Sequence, residues 1–269
     1  MTVRVALDRT LLYGSAILLA LWVLVPFYLI GISAFSPQGA VFDYPKRFLP
    51  AQLSSDTMEF FLQSRGVIAS VINSFIVAML TIALGLLLGA PAGYALARFR
   101  FRGRDAFQLI VLATKMFPIA ILSIPLAVTF LQLGLYDNIF GVALIHTAMA
   151  LPFIILVTSG VFVSVSHELE EAAMTLGCSR FTAFLRIALP LALPGLAAAS
   201  IFTFVISWNE VFAATILTLR TRTLPAQVLS SLSDSPLFFK FAGGFFMVLP
   251  AVVFIFFIRK YLLNLWGGR

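Results

Sequence analysis

The chain has 269 residues, 61% hydrophobic and 11% charged, with a formal net charge of +7. Soluble domains carry roughly 45–50% apolar and about 25% charged residues, so a water-soluble fold is excluded and the chain reads as an all-α polytopic membrane protein. The basic excess forms no tract interleaved with aromatics, which excludes nucleic-acid binding, and a single cysteine, Cys178, excludes an internal disulfide or a multi-cysteine metal site.

A helical span needs about 20 apolar residues, and six stretches qualify or nearly so. The first runs from Leu11 to Ile32 behind Arg4 and Arg9. It is too long for the roughly 7–15-residue apolar core of a cleaved signal and lacks a small-residue cleavage site, so it is read as a retained span. An extracytoplasmic loop follows, from Phe35 to Ser64, with Pro37, Pro45 and Pro50 and the acids Asp43, Asp56 and Glu59. The second span lies in the 32-residue charge-free interval between Arg65 and Arg98. The third runs from Ala106 to Leu133 and the fourth lies between Asp137 and His167, joined by a turn at Leu133–Asn138. The fifth follows Pro190 and reaches Leu219. A second outer loop, Leu219 to Phe239, leads to the sixth, Phe241 to Ile258. The 28 phenylalanines are read as lipid and helix packing.

The basic residues orient these spans. With both termini in the cytoplasm, Arg4, Arg9, Arg98, Arg100, Arg102, Arg104, Arg180, Arg186, Arg259, Lys260 and Arg269 lie inside, and Lys46, Arg47, Arg65, Arg220, Arg222 and Lys240 outside. Lys115 alone falls within a span. The bias predicts cytoplasmic termini.

Between spans four and five lies a polar island, Ser164 to Arg186. Ser166 is placed to cap a helix whose first turns hold Glu168, Glu170 and Glu171, acids suited to the positive helix end. Leu169, Ala172, Ala173 and Leu176 follow i, i+3, i+4, i+7 spacing and predict one narrow apolar face. Gly177 is expected to end the helix in a left-handed conformation. Phe181 to Ala188 restarts as a second helix, and Pro190 and Pro194 open the fifth span. By shape alone the island is either a capped loop helix without a partner or a docking knob.

The spacing Glu171-Ala172-Ala173, three residues, Gly177, nine residues, Ile187-Ala188-Leu189-Pro190 resembles the EAA loop of type I ABC importer permeases at every anchor. Gly93-Tyr-Ala-Leu-Ala-Arg98-Phe-Arg-Phe, Met116-Phe-Pro118 with Pro125-Leu126, and Ser207-Trp-Asn-Glu210 resemble further segments of the carbohydrate-uptake branch, its maltose-type second permease. The resemblance covers nearly the whole chain; the first outer loop does not follow the branch pattern. It implies the type I permease fold, with six transmembrane helices and a cytoplasmic coupling helix. Residues 1–34 would be the first helix, 35–66 the outer loop, 67–260 the core transmembrane domain with its EAA loop at 164–190, and 261–269 a short cytoplasmic tail.

The resemblance further implies a permease subunit moving a sugar or sugar-like solute across a prokaryotic plasma (inner) membrane. Its partners would be a second permease, an ATP-binding subunit dimer, an extracytoplasmic substrate-binding protein and the lipid bilayer. Glu170, Glu171, Ala172, Ala173, Gly177, Ile187, Leu189 and Pro190 would form the ATPase-coupling surface, with Glu171 pairing with a basic residue of the ATPase. The sequence contains no Gly-x4-Gly-Lys-Ser/Thr phosphate cradle, so no cofactor is expected in this chain, ATP and Mg belonging to the partner.

Ionisable groups inside a membrane are functional candidates. Trp208, Asn209 and Glu210 offer an indole face, an amide and a carboxylate for sugar hydroxyls; the competing reading is that Glu210 pairs with a partner permease or with Lys115 and locks packing. Lys115 faces either the translocation path or an acid across an interface, and His146 is read as packing rather than as a proton relay. Other classes remain: a polyamine or other small-solute ABC permease, a secondary transporter, which usually shows internal repeats and a larger chain, and a membrane enzyme, which needs clustered catalytic groups.

Overall fold

The computed structural model describes residues 2–45, 47–50 and 52–267, with side chains described for 9–45, 47–50, 52–253 and 256. Of the residues used for topology, Arg4, Lys46, Arg259, Lys260 and Arg269 lie outside the described side chains. All regular structure among the described residues is helical. The main helices are α1 (Thr2–Ala34), α2 (Asp56–Gln63), α3 (Val67–Arg98), α4 (Arg104–Ala113), α5 (Ile119–Gln132), α6 (Ile139–Ser164), α7 (His167–Thr175), α8 (Arg180–Ala183), α9 (Leu189–Trp208), α10 (Phe212–Leu217), α11 (Leu224–Ser230) and α12 (Leu237–Gly267). A 3-10 turn, Thr114–Met116, prolongs α4, and a π-helical segment, Phe184–Ala188, joins α8 to α9.

Among the described residues, four helical stretches are long and apolar enough to cross a bilayer: Arg9–Ala34, Val67–Arg98, Ile139–Ser164 and Arg180–Trp208. The expected third span is not one straight helix. Arg104–Met116 and Ile119–Gln132 meet at 89°, because Pro118 has no N–H to continue the ladder and holds Phe117 extended, at ψ 117°. The fifth span also departs from expectation. It begins at Arg180, before Pro190, and stops at Trp208 rather than Leu219. Pro190 does not open it: the preceding turn widens so that the Leu189 N–H bonds the Phe184 carbonyl five residues back, which accommodates the missing proline donor. The apolar part of α12 with described side chains is Leu237–Val253. This helix continues to Gly267, into the expected tail 261–269, of which 268 and 269 lie outside the described residues.

The chain forms two compact units. Residues 1–67 and 231–249 make the first, in which Phe61 is fully buried against Phe239 and Phe246, and Thr57 donates to the Ser36 carbonyl at 2.9 Å. Residues 68–230 and 250–269 make the second, which carries every feature of the polar island. There α3 and α6 approach closely. A Cβ on Gly93 would stand 2.1 Å from Thr158 Oγ1 and 2.8 Å from the Ser159 nitrogen, so only glycine admits that contact. Small residues of this kind let membrane helices pack backbone to backbone. A cluster of Ala90, Phe162, Val165, Phe184, Ala188 and Leu196 then fixes the ends of α3, α6 and α9 around α7.

Candidate functional site

Helix α7 sits where the sequence places it, and most of its apolar face lies exposed. Ser166 occupies the N-cap position without a side-chain hydrogen bond. Gly177 ends the helix at φ +92°, its N–H bonding the Met174 carbonyl at 3.0 Å while the Cys178 N–H reaches Ala173 at 3.1 Å; this pair of bonds is the Schellman closure. Ser179 then caps α8 by accepting from the Thr182 N–H at 3.2 Å. Of the apolar face, Leu169, Ala172 and Leu176 are exposed, Leu176 at 88%, and the buried residues of α7 are Glu170 and Ala173.

Glu170 is buried because its carboxylate is fully occupied. Arg98, the last residue of α3, donates through Nε at 2.8 Å and approaches the same Oε1 through a second guanidinium nitrogen at 2.7 Å. Tyr94, one turn earlier, donates to Oε2 at 2.5 Å. Arg98 also donates to the Val165 carbonyl at 2.8 Å, tying down the chain just ahead of α7. Tyr94 packs against Phe162 and Phe184. A buried charge is tolerated only when paired and hydrogen-bonded, and this arrangement meets both conditions. The neighbouring Glu171 points the other way: its carboxylate is 62% exposed and 3.0 Å from the equally outward His167. Ile187 and Leu189 are half-buried and Pro190 exposed, all at the π-helical entry to α9. The pairing of Glu170 with α3 had one sequence signal, an arginine ending the second span, but nothing in spacing told Glu170 from Glu171.

The Trp-Asn-Glu segment lies at the end of α9, where the span breaks. Glu210 is buried and accepts from the Ala213 and Ala214 N–H groups at 3.0 and 3.1 Å, closing the first turn of α10. His146 Nε2 lies 3.1 Å from the same carboxylate and Nδ1 lies 2.8 Å from Ser207 Oγ. A carboxylate only accepts, so Nε2 is the ring nitrogen that donates to it. Glu210 therefore pairs with His146, not with Lys115, and the cluster holds the helix break. Trp208 is buried and stacks on Phe204, centroids 5.5 Å apart, whereas Asn209 is exposed.

Lys115 lies at the break between α4 and α5, and its Nζ donates to the Met149 carbonyl of α6. It lines an open cleft of about 780 Å³, which Trp208, Asn209 and Glu210 do not line. Asp137 in the α5–α6 turn adopts φ +53° and accepts at one oxygen from the N–H groups of Leu219, Arg220 and Thr221, at 2.8–2.9 Å. Partial burial works against its ionisation, but these bonds outweigh it and hold the carboxyl below its usual range.

Bent and broken helices that carry polar groups across a bilayer, with a rigid helix-turn-helix knob displayed at one end, define a membrane-embedded transport component. The family described as "Binding-protein-dependent transport system inner membrane component" matches residues 85–264. The chain is 31% identical over 196 residues to the diacetylchitobiose uptake system permease protein DasC of Streptomyces coelicolor, covering 73% of this chain and 71% of that protein. It is 30% identical over 266 residues to the trehalose transport system permease protein SugB of Mycobacterium tuberculosis, covering 96% and 94%. Its fold resembles a chain of a bacterial ABC transporter involved in the import of the acidic polysaccharide alginate, with TM-score 0.75, 26% identity, and 94% and 97% of the two chains covered. The chain belongs to this family: it is a permease subunit of an ABC importer, a transport component rather than an enzyme.

Proposed function

We propose that the chain forms, with a second permease, the pathway of an ATP-driven importer for a sugar or sugar-like solute in a prokaryotic inner membrane. The observation that carries the mechanism is the two-sided α7. Its Glu170 side is bolted to α3, and its Leu169, Ala172, Leu176 and Glu171 side faces outward, ready to be buried by the ATP-binding subunit. Gly177 and the cap at Ser179 make the knob stiff, and α8 runs through the π-helical segment into α9. Ile187, Leu189 and Pro190 thus sit where α7 motion enters a span. Closure of the ATPase dimer would move α7, and with it α3 and α9, as one body between outward-open and inward-open states. ATP and Mg belong to the partner subunits, and an external binding protein delivers the solute.

Six crossings with cytoplasmic termini complete the reading, α4 with α5 being the third and α12 the sixth. The Arg98–Glu170 contact supports this orientation, because it brings the basic 98–104 loop and α7 to the same end. The sugar class rests on the uptake permeases the chain resembles. The test is ATP-dependent uptake of labelled mono- and disaccharides by proteoliposomes holding the complete complex. Saccharide uptake that Gly177→Pro abolishes, with assembly intact, is expected. Wild-type uptake by an assembled Gly177→Pro complex, or transport by this chain alone, would sink the proposal.

A further inference from the structure

In the six-crossing reading, Lys115 lies near mid-depth of the bilayer. Its ammonium reaches Met149, ten residues along the 26-residue α6, which is roughly 15 Å from one end of that span. Met149 lies three residues before Pro152, whose ring opens the helix ladder at that turn and leaves carbonyls available. The Met149 carbonyl uses one of three ammonium protons. Among the described residues Lys115 has no acidic partner, since the ion pairs there are Arg98–Glu170, His146–Glu210 and His167–Glu171. An uncompensated ammonium at this depth is tolerated only beside water, protein polar groups or a ligand, and interrupted backbone at this depth likewise belongs next to a cavity. Discontinuous helices at the midplane are where transporters place their substrate sites.

The cleft beside Lys115 has this character. It is about 780 Å³ in volume, within the roughly 300–1,000 Å³ typical of ligand sites. Its walls are apolar, with Ile119, Leu122 and Met149 among them, and the exposed ring of Phe117, in the break itself, offers a flat face. Lys115 is the one ionisable residue lining it among the described residues. The Thr114 hydroxyl donates to the Val111 carbonyl at 2.7 Å and keeps its oxygen as an acceptor. Glu210 does not line the cleft and is consumed by His146 and two backbone N–H groups. The cleft thus supplies a cation and an aromatic face, with no carboxylate to neutralise the cation or repel an anionic solute.

We propose that Lys115 selects an anionic saccharide, its ammonium pairing with the solute's carboxylate while Phe117 covers a pyranose face. The inference rests on the sugar reading above and narrows it. It is tested with the full complex and its binding protein in proteoliposomes, comparing uptake of a short oligouronide with uptake of its carboxyl-reduced counterpart. The wild type is expected to favour the charged form at least tenfold. Lys115→Gln should shrink that ratio at least fivefold, chiefly by slowing the oligouronide, and Lys115→Arg should preserve it. An unchanged ratio in Lys115→Gln overturns the proposal. So does loss of the second permease from the Lys115→Gln complex with recovery in Lys115→Arg, which would assign the lysine to an ion pair between permeases. Uptake of neutral sugars without the oligouronide overturns this inference and leaves the sugar reading standing. Transport of a different solute class, with no saccharide of either charge, brings down both.

Discussion

Removing the Glu170 carboxylate should disconnect the coupling helix from the membrane spans without preventing ATP hydrolysis. Glu170→Ala deletes the acceptor for two guanidinium nitrogens and one phenol, at 2.8, 2.7 and 2.5 Å. The guanidinium left behind is 7% exposed and keeps only the Val165 carbonyl. Breaking a buried ion pair by removing one partner costs about 3–5 kcal/mol, mostly through the stranded charge. At about 1.4 kcal/mol per tenfold, the population with α7 detached from α3 rises by roughly two to three orders of magnitude. The external face of α7 is untouched, so the ATPase should still dock. The assay measures ATP hydrolysis and solute uptake in parallel on assembled complexes. Hydrolysis within about twofold of wild type with uptake down at least tenfold is expected. The double variant Arg98→Met with Glu170→Met, which removes both charges, should recover part of the uptake. An assembled Glu170→Ala complex that transports the wild-type number of solutes per ATP would refute the idea that this pair carries the motion.

The adjacent acid should behave differently: Glu171→Ala leaves the permease's own thermal stability unchanged while weakening co-purification of the ATP-binding subunit at least tenfold, and a stability loss with normal association would reverse the two assignments. Asp137→Ala, which strips the acceptor from the 219–221 amides and places alanine at φ +53°, should raise amide exchange in that loop at least tenfold. Because the folded carboxyl titrates below its usual value, its stabilisation is complete above the unfolded value near 4 and disappears as pH falls through the folded one; exchange at 219–221 that is insensitive to acid down to pH 2 would contradict this. Gly93→Leu drives a side chain into the Thr158–Ser159 backbone, so the purified variant should unfold at a temperature lower by several degrees or fail to assemble, and a wild-type melting temperature would show that α3 and α6 can separate there at little cost.

The repeated apolar runs and the basic loops in the sequence were enough to establish a helical membrane chain, since hydropathy and charge act residue by residue through the bilayer. The island was also legible, because a glycine at the left-handed turn that ends α7 is a local requirement that Gly177 satisfies; the cap at Ser166 was placed correctly but forms no side-chain bond. Periodicity named an apolar face on α7 but not which way it turns. That helix rests on a charged helix end through Glu170, and its leucines lie exposed. Glu170 and Glu171 are identical as letters, and a rotation of about 100° between successive residues sends one to Arg98 and the other to solvent. Likewise, Glu210 and Lys115 are both unpaired in the sequence. Only the folded helices decide that the carboxylate meets His146 and the ends of two backbone amides, and that the lysine is left facing the cleft. Local composition thus determined that the chain is a helical membrane protein and where the knob lies. The pairing of charges across α3, α6, α7 and α9 was decided by tertiary structure, because a buried charge is stable only where a distant part of the chain brings its partner.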